Sequence, residues 1–306
     1  MQDPFAGDGV WLRCALHAHT TNSDGEMSPS LLVRHYERAG FDVLALTDHW
    51  VRTVEPSTEQ VLVLPGTELD ASMGEPGREA HVLGLGVEAD PAEPGAEFPG
   101  LDETVKWIEE AGGLPYLAHP YWSGLRPEEF AGCTGLLGLE VYNAGCELEV
   151  GRGLAGVHWD DVLEADGRPW FGLAVDDSHH PGFDSSLAWT WVRAKERSRA
   201  AVLEALRSGA FYGSTGPRIE ELSVADSTVE VRTSPARSVT LLTGRTRGAS
   251  VNAGRLGYSY RGEVLAHSAE GAITAARLVA PKQAPYARLE VSDWNGGKAW
   301  TNPLWI

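Results

Sequence analysis

Short apolar runs in the first 180 residues lead into, or contain, a histidine or a carboxylate. Runs of this length are typical of strands that are buried on both faces. The hydrophobic pattern therefore predicts a series of buried strands with chemically active residues at their ends. The runs are Trp11–Leu16, Asp42–Leu46, Val61–Leu64, Ala80–Leu85, Leu114–Ala118 and Trp170–Val175.

Helix signals lie between several of these runs. A Ser-Pro pair before Ser30–Ala39 and a glycine after it predict one helix. A second helix is predicted over Asp102–Ala111, with its first residue as the cap, and a third over Ser198–Arg207. The segment Glu147–Glu164 is typical of a helix interrupted by glycines. Strands that alternate with helices indicate a parallel sheet or barrel.

The pattern changes near Gly216-Pro217. Beyond it come short runs of alternating polarity with turn residues between them and no helix signal, which predicts a small antiparallel β-sandwich. We therefore expect two domains, residues 1–217 and residues 218–306. Residues 86–100 are rich in Glu, Pro and Gly and are expected to form a surface loop. The predicted C-terminal strands include Val229–Arg232, Val239–Leu242, Tyr258–Arg261, Ala272–Val279 and Tyr286–Val291.

Charge and composition narrow the possible functions. The chain has 43 acidic and 25 basic residues among 306, a formal net charge of −18, so nucleic acids and anionic membranes are poor partners. Its three cysteines show no paired spacing, which does not suit a disulfide framework. The first residues have no basic and no apolar segment of a signal peptide, and no apolar run approaches the roughly 18 residues of a membrane span. We expect a cytoplasmic protein.

The strand ends carry metal-ligand chemistry. His17 and His19 are two residues apart, so on a strand both imidazoles point to one face. Alone, this motif is more typical of two incidental strand histidines than of a metal site. Glu68 has two oxygens that could bridge two ions, and His119 and Asp177 each follow an apolar run. Because the carboxyl ends of barrel strands share one face, these residues are expected to converge on a site for Zn, Mn or Fe.

The chain contains an ordered set of motifs. They are L-H-A-H-T-T-N-S-D-G (16–25), T-D-H (47–49), P-G-T-E (65–68), His81, A-H-P (118–120), D-D-S-H (176–179), Y-G-S-T-G-P (212–217) and A-W-T-N-P-L-W-I (299–306). Together they resemble the PHP (polymerase and histidinol phosphatase) superfamily, and within it the CehA/McbA-like branch. The resemblance implies a distorted (β/α)7 barrel, followed here by the all-β sandwich, with two or three divalent metal ions.

The resemblance also implies a ligand for each ion. His17, His19, Glu68 and Asp177 would bind the first. Glu68 would bridge to a second ion on His81 and His119. Asp24, His49 and His179 would bind a third, with Asp176 and His180 as neighbours that could serve instead in the last motif. Catalysis would then depend on Glu68, Asp177 and His179.

Other residues are candidates for contacts with the substrate. Glu140 and Asn143 end another predicted strand and could position a ligand or bind substrate. Arg78 could meet an anionic substrate, although plain surface charge is the favoured interpretation. His180 is a further candidate beside the last ligand motif.

The expected function is a metal-dependent phosphoesterase that acts on a small phosphate ester through a metal-bridging hydroxide. The first alternative is a metallohydrolase of carboxylic esters, carbamates or amides. The second is a metal-binding scaffold without catalysis. A phosphomonoester site usually contains Arg or Lys, and few lie near these motifs, so the sequence leaves the ester chemistry open.

Overall fold

The computed structural model describes residue 5 and residues 8–304, except residues 93, 94, 96, 166, 255, 256, 283 and 285. The first part of the chain alternates strands and helices. Its elements are β1 (Val10–Ala15), α1 (Pro29–Arg38), β2 (Val43–Leu46), β3 (Leu62–Ser72), β4 (Glu79–Leu85), α2 (Leu101–Glu110), β5 (Leu114–Leu117), α3 (Pro127–Phe130), β6 (Gly138–Asn143), α4 (Ala144–Val150), α5 (Gly156–Ala165), β7 (Phe171–Val175), β8 (Trp189–Ala194), α6 (Arg199–Ser208) and β9 (Phe211–Ser214).

The second part contains strands but no helix among its described residues, as the pattern predicts. The strands are β10 (Ile219–Ala225), β11 (Thr228–Ala236), β12 (Ser238–Leu242), β13 (Gly248–Asn252), β14 (Tyr258–Tyr260), β15 (Gly262–His267), β16 (Ile273–Val279), β17 (Arg288–Ser292) and β18 (Lys298–Thr301). The last two residues of the C-terminal motif, 305 and 306, and the first four residues of the chain lie outside the described residues.

Two sheets organise the described strands, which confirms a mixed α/β fold with a second, antiparallel sheet. The large sheet has the order β14-β13-β12-β17-β18-β9-β8-β1-β2-β3-β4-β5-β6-β7, and the small one has the order β10-β11-β16-β15. The pairing of these strands does not close into a barrel. An isolated parallel bridge between Ala18 and Ser178 nevertheless brings the ends of β1 and β7 together. The seven-stranded barrel therefore stays a prediction.

β4 departs from the expected parallel arrangement. It pairs antiparallel with both β3 and β5. Its N-terminal end therefore lies at the edge where β2 and β5 have their C-terminal ends. His81 is the third residue of β4, and it reaches the common edge from the opposite chain direction to the other candidate ligands.

Local signals explain where the helices begin. Ser198 accepts a hydrogen bond from Ala201 N and caps α6. Ser28 occupies the cap position of α1 without a side-chain cap bond. The prediction of Asp102 as a cap is wrong, because Gly100 takes that position and Asp102 lies in the first turn of α2. An acidic residue in the first turn still stabilises a helix through its dipole.

Apolar clusters fill the space between the sheets and helices. Val231 and Leu278 of the small sheet share a buried cluster with Val251 and Leu289 of the large sheet, so the C-terminal strands form two packed layers. Elsewhere, Trp159 and Trp170 lie at 0% exposure in the cluster beneath α5. No helix within the described part of the chain is long and apolar enough to cross a membrane.

The two predicted domains share structure across their proposed boundary. β18 pairs with β9, so one sheet runs through both parts. Trp300 packs in the core cluster of the first part and stacks on Tyr142. Asn302 Nδ2 donates to the carbonyls of Gly209 and Phe211. The division into two domains at residue 217 stays a prediction, and these contacts connect the two parts closely.

Candidate metal centre

Seven of the nine expected ligands line one cavity of about 580 Å³, and the other two, His17 and His19, contact Glu68 in its wall. They come from the ends of β1, β2, β5 and β7, from the middle of β3, from the start of β4 and from the loop after β1. Hydrophobic side chains bury the strands, while the polar residues that follow them lie at the shared edge. The cavity wall includes Asp24, His49, Glu68, His81, His119, Asp177 and His179.

The most buried group of donors joins four of the predicted ligands. His17 Nε2 lies 3.0 Å from His19 Nε2. Glu68 Oε2 lies 3.0 Å from His17 Nε2 and 3.1 Å from His19 Nε2. Asp177 Oδ1 lies 3.2 Å and 3.3 Å from the same two nitrogens. One donor atom from each residue thus lies within 4.8 Å of all the others.

Glu68 connects this group to a second one through its other oxygen. Glu68 Oε1 lies 3.1 Å from His81 Nδ1 and 3.1 Å from His119 Nε2. The carboxylate is 1% exposed, so its two oxygens face protein donors and not solvent. This geometry is what a bridging ligand requires.

A third and more exposed group lies at the mouth of the cavity. Asp24 Oδ1 is 3.4 Å from His179 Nε2 and 3.5 Å from His19 Nδ1, and Asp24 Oδ2 is 3.9 Å from His49 Nε2. Asp24 is carried by a turn that packs against the chain at His19. A Cβ at Gly25 would lie 2.3 Å from the His19 carbonyl oxygen, so the turn requires glycine there.

The spacing of these donors suits a metal ion. Atoms bound to one Zn²⁺ at about 2.0–2.1 Å lie roughly 3.3 Å apart in a tetrahedral site, which is close to the separations in the first group. Asp177 Oδ1 and His49 Nδ1 are buried and make no hydrogen bond to the described residues. Buried polar atoms without partners are unfavourable unless a ligand satisfies them, so the residues present fit a cation.

The charges of the donors shift one another's pKa values. Burial acts to lower the pKa of His17, but Asp177 and Glu68 outweigh it and raise that pKa well above its usual value. The same competition raises the pKa of His19 to about 9 and of His81 to about 10. Burial opposes ionisation of Glu68 and Asp177, yet the histidines hold both pKa values well below normal. The carboxylates are therefore ionised and ready to accept a cation.

Glu140 and Asn143 lie behind the donors instead of facing the cavity. Glu140 Oε1 is 2.7 Å from His17 Nδ1, and Glu140 Oε2 accepts from the backbone N–H of His119 at 2.8 Å. Asn143 Nδ2 donates to Glu140 and to Asp177. Both side chains are fully buried. Of the two roles expected for them, this placement favours positioning of the ligands over contact with substrate.

The other candidates for substrate contact lie further out. Arg78 Nη2 pairs with Glu129 at 2.7 Å, and Arg78 is not part of the described cavity wall. His180 does line the cavity, where its Nδ1 lies 2.8 Å from Glu26. Asp176 accepts hydrogen bonds from Tyr36 and from backbone N–H groups of residues 186–188, so it holds the loop after β7.

The backbone is strained at three positions in the site. Trp50, His119 and Asp177 have φ angles of 55°, 25° and 55°. Residues with a Cβ rarely adopt positive φ, and each such residue costs on the order of 1–3 kcal/mol. His119 and Asp177 are predicted ligands, and Trp50 directly follows one. The strain therefore coincides with the positions where the side chains turn into the cavity.

Sequence reasoning missed three residues of the site. Asp70 lies 3.0 Å from His81 Nε2, and its place two residues after Glu68 on a strand was the available signal. Cys146 lines the cavity and groups with His119 and Asp177. Asp48, the middle residue of the T-D-H motif, accepts from the hydroxyls of Thr20, Ser23 and Thr53 and so holds the neighbouring loops.

Comparison with family models and with curated proteins finds no match. A solved structure resembles this chain along its length. It is a two-domain protein from Bacteroides vulgatus that contains a predicted PHP-like metal-dependent phosphoesterase, with a TM-score of 0.54 and 17% identity. The match covers 97% of this chain and 96% of that chain. This chain has the fold of that protein.

Two shorter matches accompany this full-length one. One is an amidohydrolase from Chromobacterium violaceum with bound sulfate, with a TM-score of 0.41 and 17% identity over 56% of this chain and 89% of that chain. The other is described as a candidate metal-dependent phosphoesterase from Bifidobacterium adolescentis. It has a TM-score of 0.40 and 15% identity over 55% of this chain and 88% of that chain.

Proposed function

We propose that this protein is a metal-dependent hydrolase that holds two or three divalent ions and cleaves a small phosphate ester. The observation that carries the proposal is Glu68, whose two buried oxygens each contact two histidines at 3.0–3.1 Å. A carboxylate shared between two groups of donors is the feature expected of a site that binds more than one ion. A site for a single structural ion has no need of it.

Each donor group would hold one ion. His17, His19, Glu68 and Asp177 suit the first ion, Glu68 with His81 and His119 suits the second, and Asp24, His49 and His179 suit the third. Bound ions of Zn, Mn or Fe would supply positive charge that polarises an ester and acidifies a water molecule. Glu68 and Asp177 set the spacing of the first two groups, while His179 extends the site towards the mouth.

The charge of the cavity supports an anionic substrate once ions are bound. No Arg or Lys lines the described part of the cavity, so the protein itself offers no cation to a phosphate. Three divalent ions would bring six positive charges to a cavity wall that has five carboxylates, Asp24, Glu68, Glu149, Asp177 and Asp184. The bound ions would then supply the positive charge that attracts a phosphate ester, whereas an uncharged carboxylic ester would be attracted less.

The remaining wall of the cavity suits an uncharged alcohol part. Trp122, Leu148 and Phe183 line it, with Leu148 57% and Phe183 68% exposed. Glu149 accepts from Trp122 Nε1 and adds negative charge at the rim. We infer a small-molecule substrate that carries its charge on the phosphate, and not a polyanion such as a nucleic acid.

We further propose that the chain lies within the PHP superfamily, in its CehA/McbA-like branch. The D-D-S-H motif at 176–179 and the Y-G-S-T-G-P motif at 212–217 support the finer assignment. The full-length likeness of the fold supports the superfamily. The expected cytoplasmic location is part of the same proposal.

The decisive experiment is a substrate panel with defined metals. The metal-free protein is loaded with Mn²⁺ or Zn²⁺ and assayed with p-nitrophenyl phosphate, bis-p-nitrophenyl phosphate, an aryl acetate and an aryl carbamate. We expect turnover of a phosphate ester that is abolished by chelator, and competitive inhibition by inorganic phosphate in the loaded protein.

The two alternatives give different results in the same panel. Metal-dependent cleavage of the acetate or carbamate without cleavage of either phosphate would replace the phosphoesterase with a carboxyl-ester or carbamate hydrolase. The absence of cationic side chains from the described cavity wall is the observation that favours this second candidate. Tight metal binding without turnover of any substrate would support a metal-binding scaffold.

A further inference from the structure

The imidazole of His81 is held between two carboxylates of one strand. Asp70 and His81 are direct partners in the antiparallel pairing of β3 with β4. His81 Nδ1 lies 3.1 Å from Glu68 Oε1, and His81 Nε2 lies 3.0 Å from Asp70 Oδ1. Glu68 and Asp70 are two residues apart, so their side chains project from the same face of β3. A ring that is anchored at both nitrogens cannot rotate without losing a contact.

Asp70 is itself fixed by a third residue. Its Oδ2 accepts a hydrogen bond from Trp50 Nε1 at 2.6 Å. The Trp50 backbone N–H donates to the Glu68 carbonyl oxygen at 3.0 Å, and the Trp50 ring stacks on Phe98. Trp50 has a φ of 55°, which directs its side chain towards Asp70 at some conformational cost. The carboxylate therefore has one oxygen for the indole and one for His81.

His17 shows the same arrangement with its nitrogens exchanged. Glu140 holds His17 at Nδ1, which leaves Nε2 to face the first donor group. Asp70 holds His81 at Nε2, which leaves Nδ1 to face Glu68. A histidine that binds a metal commonly donates its other N–H to a carboxylate, and that contact selects the tautomer. The two carboxylates thus select opposite tautomers on opposite sides of Glu68.

We propose that Asp70, held by Trp50, is a positioning residue that fixes His81 in the tautomer with a free Nδ1 for the second ion. The inference rests on the proposed function for its metal. An asparagine at position 70 could present its amide N–H₂ to His81 Nε2 and so stabilise the opposite tautomer. The Nδ1 of His81 would then carry a proton and could not bind the ion.

The test compares metal binding in matched variants. Zn²⁺ is the probe, and its affinity is measured by competition with a chelator in the wild type, Asp70→Asn, Trp50→Phe and Asp90→Asn. Asp90 is the control, because it is a 75% exposed carboxylate paired with Arg52 outside the cavity wall. Losing such an outer contact typically weakens metal binding 10- to 100-fold. We expect that loss for one zinc equivalent in Asp70→Asn, a smaller loss in Trp50→Phe and none in Asp90→Asn.

A spectroscopic measurement separates positioning from a general effect on folding. ¹⁵N shifts of the histidine side chains in the zinc-loaded wild type should place the proton of His81 on Nε2 and that of His17 on Nδ1. A His81 proton on Nδ1, or wild-type zinc affinity in Asp70→Asn, would overturn the proposal. If zinc binds as expected but no ester is cleaved, the proposed function fails while the role of Asp70 stands. A wild type that binds no divalent ion removes both.

Discussion

Replacing Glu68 by glutamine tests the centre of the proposed site. The substitution keeps the size and shape of the side chain and removes one negative charge. In the structure that charge lies 3.0–3.1 Å from nitrogens of four histidines, His17, His19, His81 and His119. No other described carboxylate lies within that range of imidazole nitrogens in both the first and the second donor group.

The size of the effect follows from the charge. One unit charge acting at about 4 Å with an effective dielectric constant of 20 contributes about 4 kcal/mol. Loss of a single electrostatic element in an active site typically costs about 2.7–4 kcal/mol, a hundred- to thousandfold in rate. We therefore expect kcat to fall by that factor in Glu68→Gln, together with loss of at least one metal equivalent.

The assay joins elemental analysis to turnover of whichever aryl ester the wild type cleaves. Glu109→Gln serves as the control, since Glu109 lies exposed on α2, away from the cavity wall. Circular dichroism should show the same fold in both variants, because the core consists of apolar strand residues. A folded Glu68→Gln protein with full metal content and near-normal turnover would refute Glu68 as the shared ligand.

Three further predictions concern other parts of the molecule. In Gly25→Ala the new Cβ would lie 2.3–2.4 Å from the His19 backbone and displace the turn that carries Asp24. Elemental analysis should find one metal equivalent fewer than in the control Gly132→Ala, where a Cβ meets no atom within 4 Å. Equal metal contents in the two variants would contradict this. The pKa of His17 is raised well above its usual value, and those of His19 and His81 are raised to about 9 and about 10, so all three hold an extra proton at pH 7. Zinc binding should then release protons from these imidazoles and strengthen as pH rises. Binding heats that are the same in buffers of different ionisation enthalpy would exclude this proton release. Asp160→Asn removes the charged partner of the buried Arg288, which contacts Asp160 at 2.7 Å. The free energy of unfolding in urea should fall by about 3 kcal/mol. In the control Glu164→Gln, which breaks the exposed pair with Arg245, it should fall by less than about 1 kcal/mol.

Much of the site was predictable because its chemistry lies next to strong hydrophobic signals. A buried strand such as Leu114–Leu117 ends at the edge of the sheet, so His119, two residues further on, is expected to lie at that edge. The structure brings all nine predicted ligands into neighbouring groups. Whether each one binds an ion stays a prediction.

Other features could not be predicted from local pattern. The apolar pattern of β4 does not show in which direction the strand runs. Its antiparallel pairing, and the direction from which His81 reaches the site, could therefore not be predicted from the sequence. The position of Asp70 two residues after Glu68 indicates a shared face, but only the register of β3 and β4 places Asp70 opposite His81. Glu140 reaches His17 across 123 positions of sequence, a contact that depends on the closing of the fold and not on any neighbouring residue.

The contacts made by the C-terminal segment affect the order in which a working molecule can form. Every predicted ligand lies before residue 180, and all of them leave the ribosome long before Trp300 and Asn302. Yet Trp300 packs beside Tyr142, and Asn302 binds β7 and β9 through Gly172 N and the Phe211 carbonyl. Domains commonly fold as they emerge during synthesis. Because Trp300 and Asn302 contact the strands beneath the metal centre, a protein that stops near residue 290 would keep every predicted ligand but lose these supporting contacts.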